Sequence, residues 1–265
     1  MAESENYIEF EHVTKTFLQP DGTVQTVLED VSFFVPRGET VAILGRSGVG
    51  KSVTLKNIVG FLKPDSGSIR VDGREITGLE EEELAELRRR MSMVFQSGAL
   101  FDSLSVAENV AFPLREGAHL DDREADEDEI EKKVGELLAT VELTEQANDM
   151  PSDLSTGMKR AVAFARALAS EPDCLLYDEP TTMVDPLMAQ TITRLILRLK
   201  ERFQKTSVLV THDVRLAERV ADRLVMLEQG KVAFFGTPEE WRASTEPEVE
   251  RFRALDALPG LAASR

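Results

Sequence analysis

Gly45-Arg46-Ser47-Gly48-Val49-Gly50-Lys51-Ser52 sets glycines, a lysine and a serine at the spacing G-x-x-x-x-G-K-[ST]. Glycines let a backbone fold closely around phosphate oxygens, and its N–H groups together with the positive end of a following helix attract that charge. In such a loop Lys51 reaches the β- and γ-phosphates, and the Ser52 hydroxyl is placed for a Mg²⁺ ion bridging them. The alternative is a glycine-rich turn with a chance Lys-Ser. The context opposes it, because the run lies between the buried stretch Thr40–Leu44 and a helical pattern carrying Leu55, Ile58 and Val59.

Nucleotide hydrolysis also needs an acid near the metal and a group that orients water. Asp178 and Glu179 end the apolar run that starts at Cys174, which puts two acids at the C-terminal mouth of a strand, where open α/β sheets bind ligands. Asp178 suits the Mg²⁺ shell and Glu179 a general base or water orienter. Thr211-His212-Asp213 ends the next apolar run, so His212 is expected near the same mouth with the γ-phosphate as partner. His12 and His119 lack such a setting and are given no role. Ser155, ahead of the alanine-rich stretch Arg160–Leu168, is a helix N-cap. One reading stops there; the other adds that the serine, Gly157 and the exposed helix N–H groups form a second anion site, and both can hold at once.

The elements that must position these groups alternate along the chain. Tyr7–Val13 and Val27–Val35 read as antiparallel strands, followed by the buried strand Thr40–Leu44, the glycine loop and a helix. Cys174–Tyr177 and Ser207–Val210 read as buried strands; Ile192, Leu195, Ile196 and Leu199 between them mark an amphipathic crossover helix. Residues from about 97 to 170 are mainly helical. The expected fold is therefore an α/β core with a mixed, largely parallel sheet and an antiparallel β subdomain, into which a helical subdomain is inserted.

The chain has 265 residues, a formal charge of −17 and 42% hydrophobic residues, enough apolar material for one sizeable domain with a real core. The lone Cys174 has no disulfide partner and reads as a small core hydrophobe in a reducing compartment. The acidic start and the lack of any apolar stretch near the roughly 20 residues of a span predict neither export signal nor membrane helix. A charge this negative also argues against a nucleic-acid surface, so any membrane role is expected to come through protein partners. The acids between Glu116 and Glu131 read as a solvated loop running into a helix N-terminus, with metal binding as the alternative.

Taken together, these motifs and their order resemble an ATP-binding-cassette (ABC) ATPase, over nearly the whole length. The resemblance implies a P-loop NTPase core over residues 1–245, a tail over 246–265, and ATP with Mg²⁺ as cofactors. It places a Gln loop at Gln96, a signature at Leu154–Met158, a D-loop at Asp185 and a switch histidine at His212. Phe17 matches the aromatic that stacks on adenine; the alternative for it is a strand-end core residue. Gly45, Arg46, Ser47, Gly48, Val49, Gly50, Lys51, Ser52 and Val53 then bind nucleotide, with Ser155, Thr156, Gly157 and Asp185 completing the site. Lys51, Gln96, Glu179 and His212 are implied as catalytic, and Ser52, Gln96 and Asp178 as metal-binding. A head-to-tail homodimer, with ATP between the phosphate loop of one copy and the signature of the other, is implied as well.

A narrower likeness lies in Arg90–Phe101, Asn109–Arg115, the Gly157-Met158 pair and the tail stretch Pro247–Phe252, which resemble the ATPases of Mla- and Mce-associated lipid transporters. That implies a membrane permease gripped by a groove after the Gln loop, an Mce-type lipid-binding protein beyond it, and a peripheral position on the cytoplasmic face of the inner membrane. Three departures stand out: Thr156 where the signature has glycine, Ala161 where an arginine often follows, and Met183-Val184 ahead of Asp185. They leave open whether Thr156 slows hydrolysis. Two rival functions follow: a soluble ABC ATPase of the iron–sulfur assembly type, and a regulatory subunit that binds ATP with little turnover.

Overall fold

The computed structural model describes residues 5–96, 98–120 and 126–257, with the side chains of 119, 120 and 255–257 outside the description. Its first half runs β1 (Asn6–Leu18), β2 (Val24–Pro36), β3 (Thr40–Leu44), α1 (Lys51–Ile58), β4 (Ser66–Val71), β5 (Arg74–Glu75), α2 (Glu81–Arg89), β6 (Met91–Val94), α3 (Val106–Leu120) and α4 (Glu127–Thr140). The second half runs α5 (Thr156–Ala169), β7 (Cys174–Asp178), α6 (Pro186–Phe203), β8 (Thr206–Thr211), α7 (Val214–Val220), β9 (Arg223–Glu228), β10 (Lys231–Gly236), α8 (Pro238–Ala243) and α9 (Pro247–Ala257). Two compact units emerge: the described parts of Met1–Leu87 with Gln204–Arg265, and those of Arg88–Phe203.

In the first unit β1 and β2 are longer than the apolar runs alone suggested, because polar residues continue the ladder to a hairpin turn where Gln19 N–H donates to the Thr23 carbonyl at 2.8 Å. The sheet order is β2-β1-β4-β5, antiparallel throughout, with Phe10 stacked on Phe33 at 4.6 Å. A second arrangement runs β10-β9-β3-β8. There β3 lies parallel to both β8 and β9, and every residue of β3 and β8 is buried. That is why these strands read as unbroken apolar runs instead of alternating ones. The C-terminal end packs by Trp241 and Val249, both fully buried, and α8 starts with a reciprocal cap between Thr237 and Glu240.

In the second unit β6 lies parallel to β7, and helices α3, α4 and α5 pack on one another. The crossover helix α6 buries Ile192, Leu195, Ile196 and Leu199, as its spacing predicts. Cys174 is fully buried, and burial pushes its thiol well above the ordinary value. Asp126 caps α4 by accepting from the Glu129 N–H, and Glu127–Glu129 fill its first turn, in line with a helix dipole that favours acids there. The other acids from Asp121 to Glu124, and the tail after residue 257, lie outside the described residues.

Candidate functional site

In the first unit, β3 delivers the phosphate loop and β8 delivers His212. The strands run parallel with Leu44 beside Thr211, so Gly45 and His212 leave the same end of the sheet on neighbouring strands. His212 is exposed there, and Asp213 behind it caps α7 by accepting from the Leu216 N–H at 3.0 Å.

The loop itself demands glycine at two positions in particular. A Cβ on Gly45 would meet the Leu227 carbonyl oxygen at 2.8 Å, and Gly50, at φ +115°, would meet Leu28 at 2.8 Å. Gly50 is also the N-cap of α1, and having no side chain it makes no side-chain cap to the helix start, which faces the loop. Lys51 is buried, and its Nζ donates to the Gly45 carbonyl at 2.7 Å and the Arg46 carbonyl at 3.1 Å. The ammonium thus sits inside the loop's curve. Ser52 is exposed at the helix start. A concave run of N–H donors, an ammonium and a serine hydroxyl suit a polyphosphate carrying a hard cation.

Phe17 is half-buried on β1, opposite Gln25, and is not a fully buried core side chain. Lys15 Nζ lies 5.5 Å from its ring centre. The same ammonium binds Asp65 at 2.8 Å, and Asp65 also accepts from the Thr16 N–H at 2.6 Å and its hydroxyl at 2.8 Å. These bonds hold the Asp65 carboxyl down to about 2.

In the second unit, Gln96 follows β6 and Asp178 closes β7. Val94 pairs with Tyr177 in a parallel register, so Gln96, Asp178 and Glu179 gather at one end of that pair. Glu179 has φ +48° and accepts from the Thr182 hydroxyl at 2.9 Å. Ser155 caps α5 as expected, its Oγ accepting from the Met158 N–H at 3.3 Å. Thr156 is exposed on the first turn behind it. Asp185 Oδ1 accepts from the N–H groups of Leu187 and Met188, both at 3.0 Å, and so caps α6. Two residues that no motif singled out join this group: Arg160, which reaches the carbonyls of Pro180 and Thr182, and Thr182 itself. Arg160 and Arg166 are the two arginines of the alanine-rich stretch, which is a sequence signal for Arg160 but none for Thr182.

A family profile described as ABC transporter matches residues 28–182, more than half of the chain. The intermembrane phospholipid transport system ATP-binding protein MlaF of Haemophilus influenzae is 41% identical over 94% of this chain and 90% of its own length. The methionine import ATP-binding protein MetN 2 of Paraburkholderia xenovorans is 39% identical over 93% of this chain, which spans 62% of that relative. Among solved structures, a dimeric ATP-binding cassette in a post-hydrolysis state with ADP and Pi superimposes with a TM-score of 0.77. It is 33% identical, over 87% of this chain and 98% of its own.

Proposed function

The chain belongs to the ABC transporter family, and on that premise we propose that it is the ATP-hydrolysing subunit of a lipid transporter, driving phospholipid movement through a membrane permease with an Mce-type partner. The family assignment carries ATP binding, the use of Mg²⁺ and hydrolysis with it. The observation that carries the lipid reading is the likeness to the phospholipid transport protein, which extends over nearly the full length of both chains.

Bound Mg-ATP supplies the reacting γ-phosphoryl group and a cation that neutralises its charge. The roles proposed for the chain's own residues are those that membership of the family implies for its motifs. The Gly45–Val53 loop and Lys51 bind and orient the phosphates, and Phe17 stacks on the base. Ser52, Gln96 and Asp178 are oxygen donors for the cation. Glu179 orients water and takes its proton at a carboxylate oxygen, and His212 donates to the γ-phosphate. Ser155, Thr156, Gly157 and Asp185 serve the nucleotide of a second copy in a head-to-tail homodimer.

Among the described residues no helix is long and apolar enough to cross a membrane, so transport requires a membrane-embedded partner. A groove of about 590 Å³ in the second unit offers such a partner a place, with Met91, Phe112, Pro113 and Leu114 lining it beside Arg88, Glu116 and the Lys133–Glu171 ion pair. Apolar side chains flanked by charges of both signs suit an amphipathic helix. The subunit then works from the cytoplasmic face of the inner membrane. Purification of the tagged chain from its native membrane tests the reading. A permease and an Mce protein in the eluate are expected; a soluble scaffold alone would overturn it.

A further inference from the structure

The turn that follows Glu179 is held by a side chain from another helix. Arg160, in α5, is 5% exposed, and its guanidinium donates through Nη1 to the Pro180 carbonyl and through Nη2 to the Thr182 carbonyl at 2.6 Å. A guanidinium drawn out of water needs acceptors in its own plane, and its fork fixes two of them in one geometry. The turn needs such a hold. Glu179 and Met183 sit at φ +48° and +60°, a left-handed conformation that non-glycine residues keep only where the surroundings impose it.

Thr182 links that turn to the acid. Its N–H donates to the Glu179 carbonyl at 3.2 Å, and its hydroxyl donates to Glu179 Oε2 at 2.9 Å. The first bond only closes the turn. The second does nothing for the backbone and instead fixes the direction of the carboxylate, leaving Oε1 as the oxygen not engaged by that hydroxyl.

We infer that Arg160 and Thr182 are positioning residues for Glu179: the guanidinium sets the strained turn, and the threonine hydroxyl aims the carboxylate. This rests on the proposed role of Glu179 as the water-orienting group. It gives Arg160 a function at a point where the chain departs from its family, because the next residue, Ala161, lacks the arginine often found there. Neither residue touches the nucleotide in this account, so their removal should change kcat and leave ATP affinity alone.

Steady-state ATP hydrolysis by the full-length chain tests this, with ATP affinity measured separately by displacement of a fluorescent ATP analogue. Thr182→Val, which keeps shape and removes the hydroxyl, is expected to lower kcat roughly 10-fold or more while the affinity stays within about twofold. Thr182→Ser, which restores the hydroxyl, should recover most of that loss. Arg160→Lys, which keeps the charge but not the fork, should lower kcat in the same selective way. In a Glu179→Gln background neither Thr182→Val nor Arg160→Lys should lower the residual rate further. Wild-type kcat in Thr182→Val and Arg160→Lys, beside an inactive Glu179→Gln, would overturn the positioning role alone. Turnover by Glu179→Gln itself would overturn the reading beneath it.

Discussion

Gly157, on the first turn of α5, lies directly against Met188, on the first turn of α6: a Cβ at Gly157 would stand 2.0 Å from the Met188 sulfur. The signature segment and the helix capped by Asp185 therefore start in contact. The obstructing atoms belong to the far end of a flexible thioether side chain, which can swing aside at small cost. Alanine is also the better helix former, by about 1 kcal/mol. Gly157→Ala is thus expected to leave the thermal midpoint unchanged or slightly raised while lowering ATPase activity, on the proposed approach of this helix start to the nucleotide of a second copy. Calorimetry and a turnover assay on the same sample check both halves. A fall of several degrees would mean that Met188 is fixed in place.

Thr156 stands exposed beside that glycine. Its hydroxyl can replace a backbone donor toward the γ-phosphate of a second copy, or its methyl can hold the helix away. The first outcome is predicted: Thr156→Val lowers kcat, and Thr156→Gly leaves it near the starting value. A charge-assisted hydrogen bond of about 1.5–3 kcal/mol corresponds to roughly 10- to 150-fold in rate. Assays on the assembled transporter decide, since a harmless valine and a faster glycine variant would make the threonine an obstruction.

Asp65 fastens the end of β1 that carries Phe17. Its carboxyl is held from an ordinary 3.8 down to about 2 by Lys15 and Thr16. A depressed folded-state pKa contributes stability that is fully present above the unfolded value and fades as pH falls through the folded one. The stability difference between the wild type and Asp65→Asn should therefore be constant at neutral pH and shrink from about pH 4 toward pH 2. Urea unfolding across that range measures it. A difference that grows on acidification would contradict the assignment.

The parts of the site legible in the sequence were those written in consecutive residues. The phosphate loop, the acids at the end of β7, the histidine after β8 and the Ser155 cap each follow from a short run whose chemistry and setting agree. The spacing of Ile192 to Leu199 likewise predicted the buried face of α6. What stayed hidden depends on contacts between distant residues. Arg160 reaches carbonyls about 20 residues away, and Lys15 meets Asp65 across the sheet formed by β1 and β4. Backbone carbonyls carry no sequence signature as acceptors. The extent of β1 and β2 was hidden for another reason: exposed polar residues extend an antiparallel ladder without adding to its apolar pattern.

Association should depend on nucleotide. With the phosphate loop on one copy and the signature on the other, the ligand itself forms part of the contact, so Glu179→Gln with Mg-ATP is expected to run as a dimer and without it as a monomer. Light scattering reads this directly. A monomer under both conditions would count against the shared site in the isolated subunit.

Glu179 is proposed to organise the attacking water, and the rate of Mg-ATP hydrolysis in Glu179→Gln, measured alongside its affinity for ATP, reads that role. The substitution keeps size and most hydrogen bonding but removes the charge. Affinity should be preserved, and turnover should fall on the order of 10²-fold or more. Turnover at the wild-type rate, with ATP bound as tightly as before, would contradict it.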